Sequence, residues 1–132
     1  TTAGNSPFAE KKKIQSFINM DGKEIYKFAV AAICNDLKVI FEQAKVKSEE
    51  IAHVLLHQAN VRIIDAAAKK LNIPREKYLV NINRYGNTSA ASIPILLDEA
   101  NRDGILKKGQ LLALCAFGGG LTTGACVLRW AK

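Results

Sequence analysis

Short apolar runs alternate with longer amphipathic ones along this chain, and that alternation restricts the available folds more than any single motif does. The run DGKEIYKFAVAAICNDLKVIFEQAKV places Ile25, Phe28, Ala29, Ala32, Ile33, Leu37, Ile40, Phe41 and Ala44 on one helical face. Tyr26, Val30 and Ala31 widen that face beyond a surface stripe, so the helix is expected to be covered on two sides. HVLL follows as a short strand. A second helix from about Asn60 carries Ile64, Ala67, Ala68 and Leu71 at helical spacing and is closed by Asn72 and Pro74.

The pattern continues with YLVNI as a strand and NTSAASIPILLDEANRDG as a helix capped from Asn87 or Thr88 and ended at Gly104. QLLALCAF and GACVLRW then read as two strands, and IQSFINM, ahead of the first helix, as another. The order β-α-β-α-β-α-β-β implies right-handed crossovers and a largely parallel sheet with helices on both faces. The last two strands, joined by GGGLTT, can only run antiparallel. In such α/β sheets, ligands gather beyond the carboxyl ends of the parallel strands, where His57, Asn87 and Gly118 to Gly120 fall.

A chain of 132 residues is long enough for one domain with a real core. The polar first dozen reads as a tail or cut linker over 1–13, leaving a domain over 14–132; the start at TTAGNSPF, without an initiator methionine, favours cutting. No window approaches the roughly 18 apolar residues of a membrane span, and the N-terminal residues lack the apolar middle of a signal peptide. The expected setting is cytoplasmic, with no membrane contact. The net charge of +7 favours an anionic partner. Nucleic acid is not expected, because the basic residues are scattered and neither aromatic-basic interleaving nor zinc spacing is present. The three cysteines, Cys34, Cys115 and Cys126, are odd in number, lie in apolar stretches and form no C-x-x-C pair, so they are read as reduced and mostly buried, with no metal site.

His57 ends a strand, where an imidazole either hydrogen-bonds its loop or does chemistry; His53, without a companion motif, is read as structural. Asn87 follows a glycine at the next strand-to-helix junction. It reads equally as a helix cap or as a second neutral donor, and two neutral donors converging on one oxygen suit a developing enolate. FGGG allows main-chain N–H groups to approach a ligand oxygen, or is simply a turn. None of the cysteines starts a helix, where a thiol pKa would be depressed, so the chain holds half a site without a nucleophile.

HQAN, YGNTSAAS and AFGGG, in that order and over nearly the whole chain from FINMDG to VLRW, resemble the C-terminal half of 3-oxoacyl-acyl-carrier-protein synthase III, a thiolase-fold condensing enzyme family. The resemblance implies a thiolase-like half, a five-stranded mixed sheet with helices on both faces. It also implies an acyltransferase that starts fatty-acid synthesis by decarboxylative condensation of an acyl-coenzyme A primer, acetyl above all, with malonyl-acyl-carrier protein. The nucleophilic cysteine would belong to the missing N-terminal half, leaving this chain inactive alone.

By that resemblance His57 and Asn87 donate hydrogen bonds to the malonyl thioester oxygen. The N–H of Gly119 joins the oxyanion hole, and Phe117 packs beside the nucleophile. Asn60 touches the phosphopantetheine arm, Gly22 and Tyr26 line its tunnel, and Arg62 attracts the acidic carrier protein. For Arg62 the plain reading is a solvated side chain paired with Asp65. No cofactor is implied beyond the thioester substrates, and the full-length enzyme is expected to be a homodimer. The alternative is a non-catalytic module that binds carrier protein or coenzyme A.

Overall fold

The computed structural model describes residues 21–132; the expected strand IQSFINM and the tail over 1–13 lie outside them. Helix α1 runs Gly22–Ala44, strand β1 Ile51–Leu56, helix α2 Val61–Leu71, the single turn α3 Ile82–Tyr85, helix α4 Ser92–Arg102, and strands β2 Leu111–Gly118 and β3 Thr122–Arg129. Local chemistry sets several of these ends. The Asp21 carboxylate accepts from the N–H groups of Lys23 and Glu24 at 3.0 and 3.1 Å and starts α1. Asn60 does the same for α2 through Arg62 N–H at 2.9 Å, and Asn72 ends α2 in the left-handed conformation that asparagine tolerates.

The described sheet has three strands in the order β1-β2-β3, with β1 parallel to β2 and β2 antiparallel to β3. Period-two alternation splits the core between its faces. Val54, Leu56, Ala113 and Cys115 pack with α1 and α2, whereas Leu55 and Leu112 pack with Leu96 and Ala100 of α4. Helices therefore cover both faces. Ile64 of α2 is fully buried in the first of these layers. Ile64→Ala is expected to cost about 2–5 kcal/mol, the usual toll for emptying a buried branched site. A urea melt that moves by less than about 1 kcal/mol would show that α2 is not pinned there.

Two expectations about the sheet need correction. The described residues form three strands, not five, and YLVNI is not a strand. Tyr78 makes one isolated parallel bridge to Val54, and Leu79 N–H reaches the Val54 carbonyl at 3.1 Å. The ladder then stops because Asn81 N–H is taken by the buried Gln58 Oε1 at 3.2 Å, while its carbonyl accepts from Arg84 and Tyr85 N–H. A side-chain acceptor and a helical turn have outcompeted the strand.

The helix expected from Asn87 or Thr88 begins later. Ser89–Ala91 form a 3-10 turn first, and α4 starts at Ser92. The α1 helix is also less enclosed than its composition suggests. Ala29, Ile33, Cys34, Leu37 and Phe41 are buried, while Tyr26 and Val39 remain open among the described residues. Cys34 and Cys115 are buried as expected, but Cys126 is exposed on β3.

Candidate active site

His57 is placed by the end of the parallel ladder. Its N–H donates to the Cys115 carbonyl at 3.0 Å, and its own carbonyl accepts from Ala59 N–H at 3.0 Å, so the backbone leaves β1 in a fixed direction. The imidazole meets the Phe117 ring edge-on, with centroids 5.1 Å apart at 78°. Burial pushes its pKa below the ordinary value of 6.5, so the ring is neutral near pH 7.

Asn87 reaches the same place from the far side. Gly86 sits at φ 66°, a left-handed turn that suits glycine, and ends α3 with its N–H on the Ile82 carbonyl at 2.8 Å. The Asn87 side-chain oxygen then accepts from Ser89 N–H at 2.9 Å. This bond orients the amide, and only its NH2 end can donate to a ligand. The helix-cap reading of Asn87 is corrected: α4 is entered from Ala91 without a side-chain cap, and the Asn87 oxygen instead shapes the turn at Ser89.

A cavity of about 550 Å³ joins these pieces. His57, Asn87, Phe117 and Gly119 line it together, with Ser89, Ala90 and Ile93 on the helical side and Ala116, Gly118, Thr122, Thr123 and Gly124 from the hairpin. Among the described residues no charged side chain lines it. A neutral imidazole, a carboxamide and a glycine backbone lining one pocket can stabilise negative charge developing on a substrate oxygen.

The remaining expected residues form a second group outside that cavity. The Tyr26 hydroxyl lies 3.5 Å from the Arg62 carbonyl, which joins the first turns of α1 and α2. Gly22 is exposed at the start of α1, with nothing within 4 Å of where a Cβ would stand. Asn60 spends its side-chain oxygen capping α2. Arg62 is exposed, and the partner expected for it is engaged elsewhere: Asp65 pairs with Arg75 at 2.6 Å. Arg62 is solvated as the plain reading has it, but the expected pair with Asp65 is not formed.

The two buried cysteines offer no second reactive centre. Burial raises the Cys34 pKa and pushes that of Cys115 up to about 12. Among the described residues no cluster of three metal-ligating side chains occurs, and no helix is long and apolar enough to cross a membrane.

Sequence reasoning missed Gln58, Ser89 and the threonines of β3. Thr122 and Thr123 were within reach, because the antiparallel hairpin sets them opposite Gly118 and Phe117. Ser89 carried no signal, being a non-glycine residue at φ 51°.

The neutral histidines also predict a pH dependence of stability. His53 and His57 are both held below the ordinary imidazole value, mainly by burial. Protons therefore bind the unfolded chain more tightly, so stability is full above the unfolded pKa near 6.5 and falls as pH drops through it toward the folded values. The urea midpoint is expected to be lower at about pH 5.5 than at about pH 7.5, with a smaller drop in His57→Gln. Equal drops in parent and variant would show that His57 does not contribute.

Residues 41–130 match the family described as 3-Oxoacyl-[acyl-carrier-protein (ACP)] synthase III C terminal. A beta-ketoacyl-[acyl-carrier-protein] synthase III of Clostridium acetobutylicum is 44% identical over 128 residues, which cover 96% of this chain and 39% of that protein. The enzyme of the same name from Aquifex aeolicus is 54% identical over 114 residues, 86% of this chain and 37% of that one. The crystal structure of 3-oxoacyl-[acyl-carrier-protein] synthase III from Aquifex aeolicus superposes with a TM-score of 0.85 at 52% identity, over 89% of this chain and 38% of that one. The Pseudomonas aeruginosa structure gives 0.86 at 36% identity. The chain thus spans about two fifths of the length of these relatives.

Proposed function

The chain belongs to the 3-oxoacyl-[acyl-carrier-protein] synthase III family, whose C-terminal part it matches, and from that premise we propose that it supplies the enolate-stabilising side of a condensing site. The whole enzyme joins an acyl-coenzyme A primer, acetyl in the first instance, to malonyl-acyl-carrier protein with loss of carbon dioxide. A cysteine from the rest of the enzyme carries the primer as a thioester. His57 and Asn87 donate to the malonyl thioester oxygen as the carboxylate leaves, so that charge moves onto an oxygen already held by two neutral donors. The resulting carbanion attacks the acyl-cysteine, and Gly119 N–H, with the cysteine's own N–H, holds the tetrahedral oxyanion until it collapses, breaking the C–S bond and releasing the cysteine thiolate. No metal or organic cofactor is called for.

One observation carries this reading: His57, Asn87 and Gly119, separated by up to 62 positions, line a single cavity that has no charged side chain among the described residues. The second group of residues gives it an entrance. Asn60, Gly22 and Tyr26 would flank the pantetheine arm, and the exposed Arg62 guanidinium would meet the acidic carrier protein. The open flank of α1, with Tyr26 and Val39, is where the N-terminal half would pack, and the full-length enzyme would be a homodimer.

Mass spectrometry of the products tests the proposal. This chain, paired with an N-terminal half of the family, is given malonyl-acyl-carrier protein with acetyl, branched or longer primers. Appearance of a 3-oxoacyl carrier protein is expected, with acetyl-coenzyme A as a productive primer. Carrier protein that binds but is never extended would favour a non-catalytic docking module.

A further inference from the structure

Gln58 follows His57 directly, yet its side chain is buried, with 1% of its surface exposed. A glutamine so enclosed must satisfy both ends of its amide, and it does so across two loops. Its Nε2 donates to the Leu56 carbonyl at 2.8 Å, and its Oε1 accepts from the backbone N–H of Asn81 at 3.2 Å. The first bond holds the chain immediately before His57. The second holds the start of the segment that ends at Asn87.

The far side of that segment is tied to α4. Asn81, itself 3% exposed, donates through Nδ2 to Glu99 Oε2 at 2.6 Å. The other Glu99 oxygen accepts from the Tyr85 hydroxyl at 2.8 Å and pairs with Arg84 at 2.6 Å. Glu99 therefore grips α3 at both its ends, and the residue after Tyr85 is the left-handed Gly86 that delivers Asn87. A continuous hydrogen-bonded clamp runs from the His57 loop through Gln58, Asn81, Glu99 and Tyr85 to the Asn87 loop.

We infer that Gln58 is a positioning residue which, through Asn81 and Glu99, sets the separation of the His57 and Asn87 side chains; the inference rests on the proposed condensing role of that pair. Gln58 touches no substrate and does not line the cavity. Its effect is geometric: two donors must meet one oxygen, and a slip of about an ångström between reacting groups costs on the order of a hundredfold in rate.

The test uses the enzyme assembled from this chain and an N-terminal half, with primer transfer and carbon dioxide release measured separately on parent, Gln58→Met, His57→Ala and the double variant. In Gln58→Met, kcat for carbon dioxide release is expected to fall on the order of tenfold, with KM for malonyl-acyl-carrier protein and the rate of primer transfer within about twofold of the parent. The double variant is expected to be no slower than His57→Ala alone, since displaced donors have nothing further to lose.

A parent-like kcat in Gln58→Met, an equal fall in both half-reactions, or a double variant slowed by the full product of the single effects overturns the inference. If Gln58→Met does not fold, Tyr85→Phe reads the other end of the clamp at an exposed hydroxyl: a fall of about threefold confined to carbon dioxide release supports the inference, and an unchanged rate overturns it. Loss of the His57→Ala effect would overturn the underlying condensing role, whereas a large His57→Ala effect beside a parent-like Gln58→Met overturns the clamp alone.

Discussion

His57→Ala and Asn87→Ala, each made in the assembled enzyme, are expected to slow malonyl decarboxylation and condensation by roughly a hundred- to a thousandfold. Losing one preorganised donor at a developing oxyanion costs about 3–4 kcal/mol of transition-state stabilisation. The site amplifies that loss because, among the described residues, the cavity has no charged side chain, and the hydroxyls of Ser89, Thr122 and Thr123 are the remaining side-chain donors on its walls. Primer transfer to the cysteine needs no enolate, so both variants should acylate far more nearly at the parent rate. If Asn87→Ala condensed at the parent rate, the Asn87 bond to Ser89 N–H would be its whole role, a turn and nothing more.

A second large effect concerns the chain alone. Incubated with acetyl-coenzyme A, it is expected to gain no acetyl group on Cys34, Cys115 or Cys126. The nucleophile must be a thiolate. Cys115 is pushed up to about 12, which leaves it on the order of one part in a hundred thousand ionised at neutral pH, and Cys34 is raised by the same burial. Cys126 is exposed but stands on β3, outside the residues that line the cavity. Intact-mass spectrometry checks this directly. A stable adduct on any of the three would mean the chain contains its own nucleophile.

Most of the helices were legible because their signals are local. Asp21, the apolar face of α1 and the terminal Lys45 turn bound Gly22–Ala44 where periodicity put it, and the Asn60 cap fixed α2. The strands β1, β2 and β3 were legible for a similar reason, since each is a short apolar run between turn residues. YLVNI misled because nothing local distinguishes it from them. Its fate is decided by Gln58, a residue more than twenty positions away whose buried carboxamide captures Asn81 N–H. Propensity cannot register a competitor that arrives through tertiary contact.

The same limit applies to the site. His57, Asn87 and the glycine turn were visible as strand-end residues, and the fold brings them to one cavity. What holds them there was not visible. Gln58 reads as one polar letter in HQAN, and Glu99 as an ordinary exposed-face residue of α4, until the structure shows both ends of α3 resting on one carboxylate. The Arg62 to Asp65 pairing failed by competition too, because Arg75 reaches Asp65 across the α2 C-terminal turn. Spacing along a helix allows an ion pair without securing it.

Carbon dioxide release from malonyl-acyl-carrier protein, followed as halves are mixed, tests the central claim most directly. An N-terminal half bearing the cysteine should take up the primer but release little carbon dioxide alone, and this chain should release none. Mixing them should switch release on, and mixing with the His57→Ala chain should leave primer uptake intact while holding release about a hundred- to a thousandfold lower. Release by the N-terminal half alone at the rate of the mixture, or full release with the His57→Ala chain, would contradict the account.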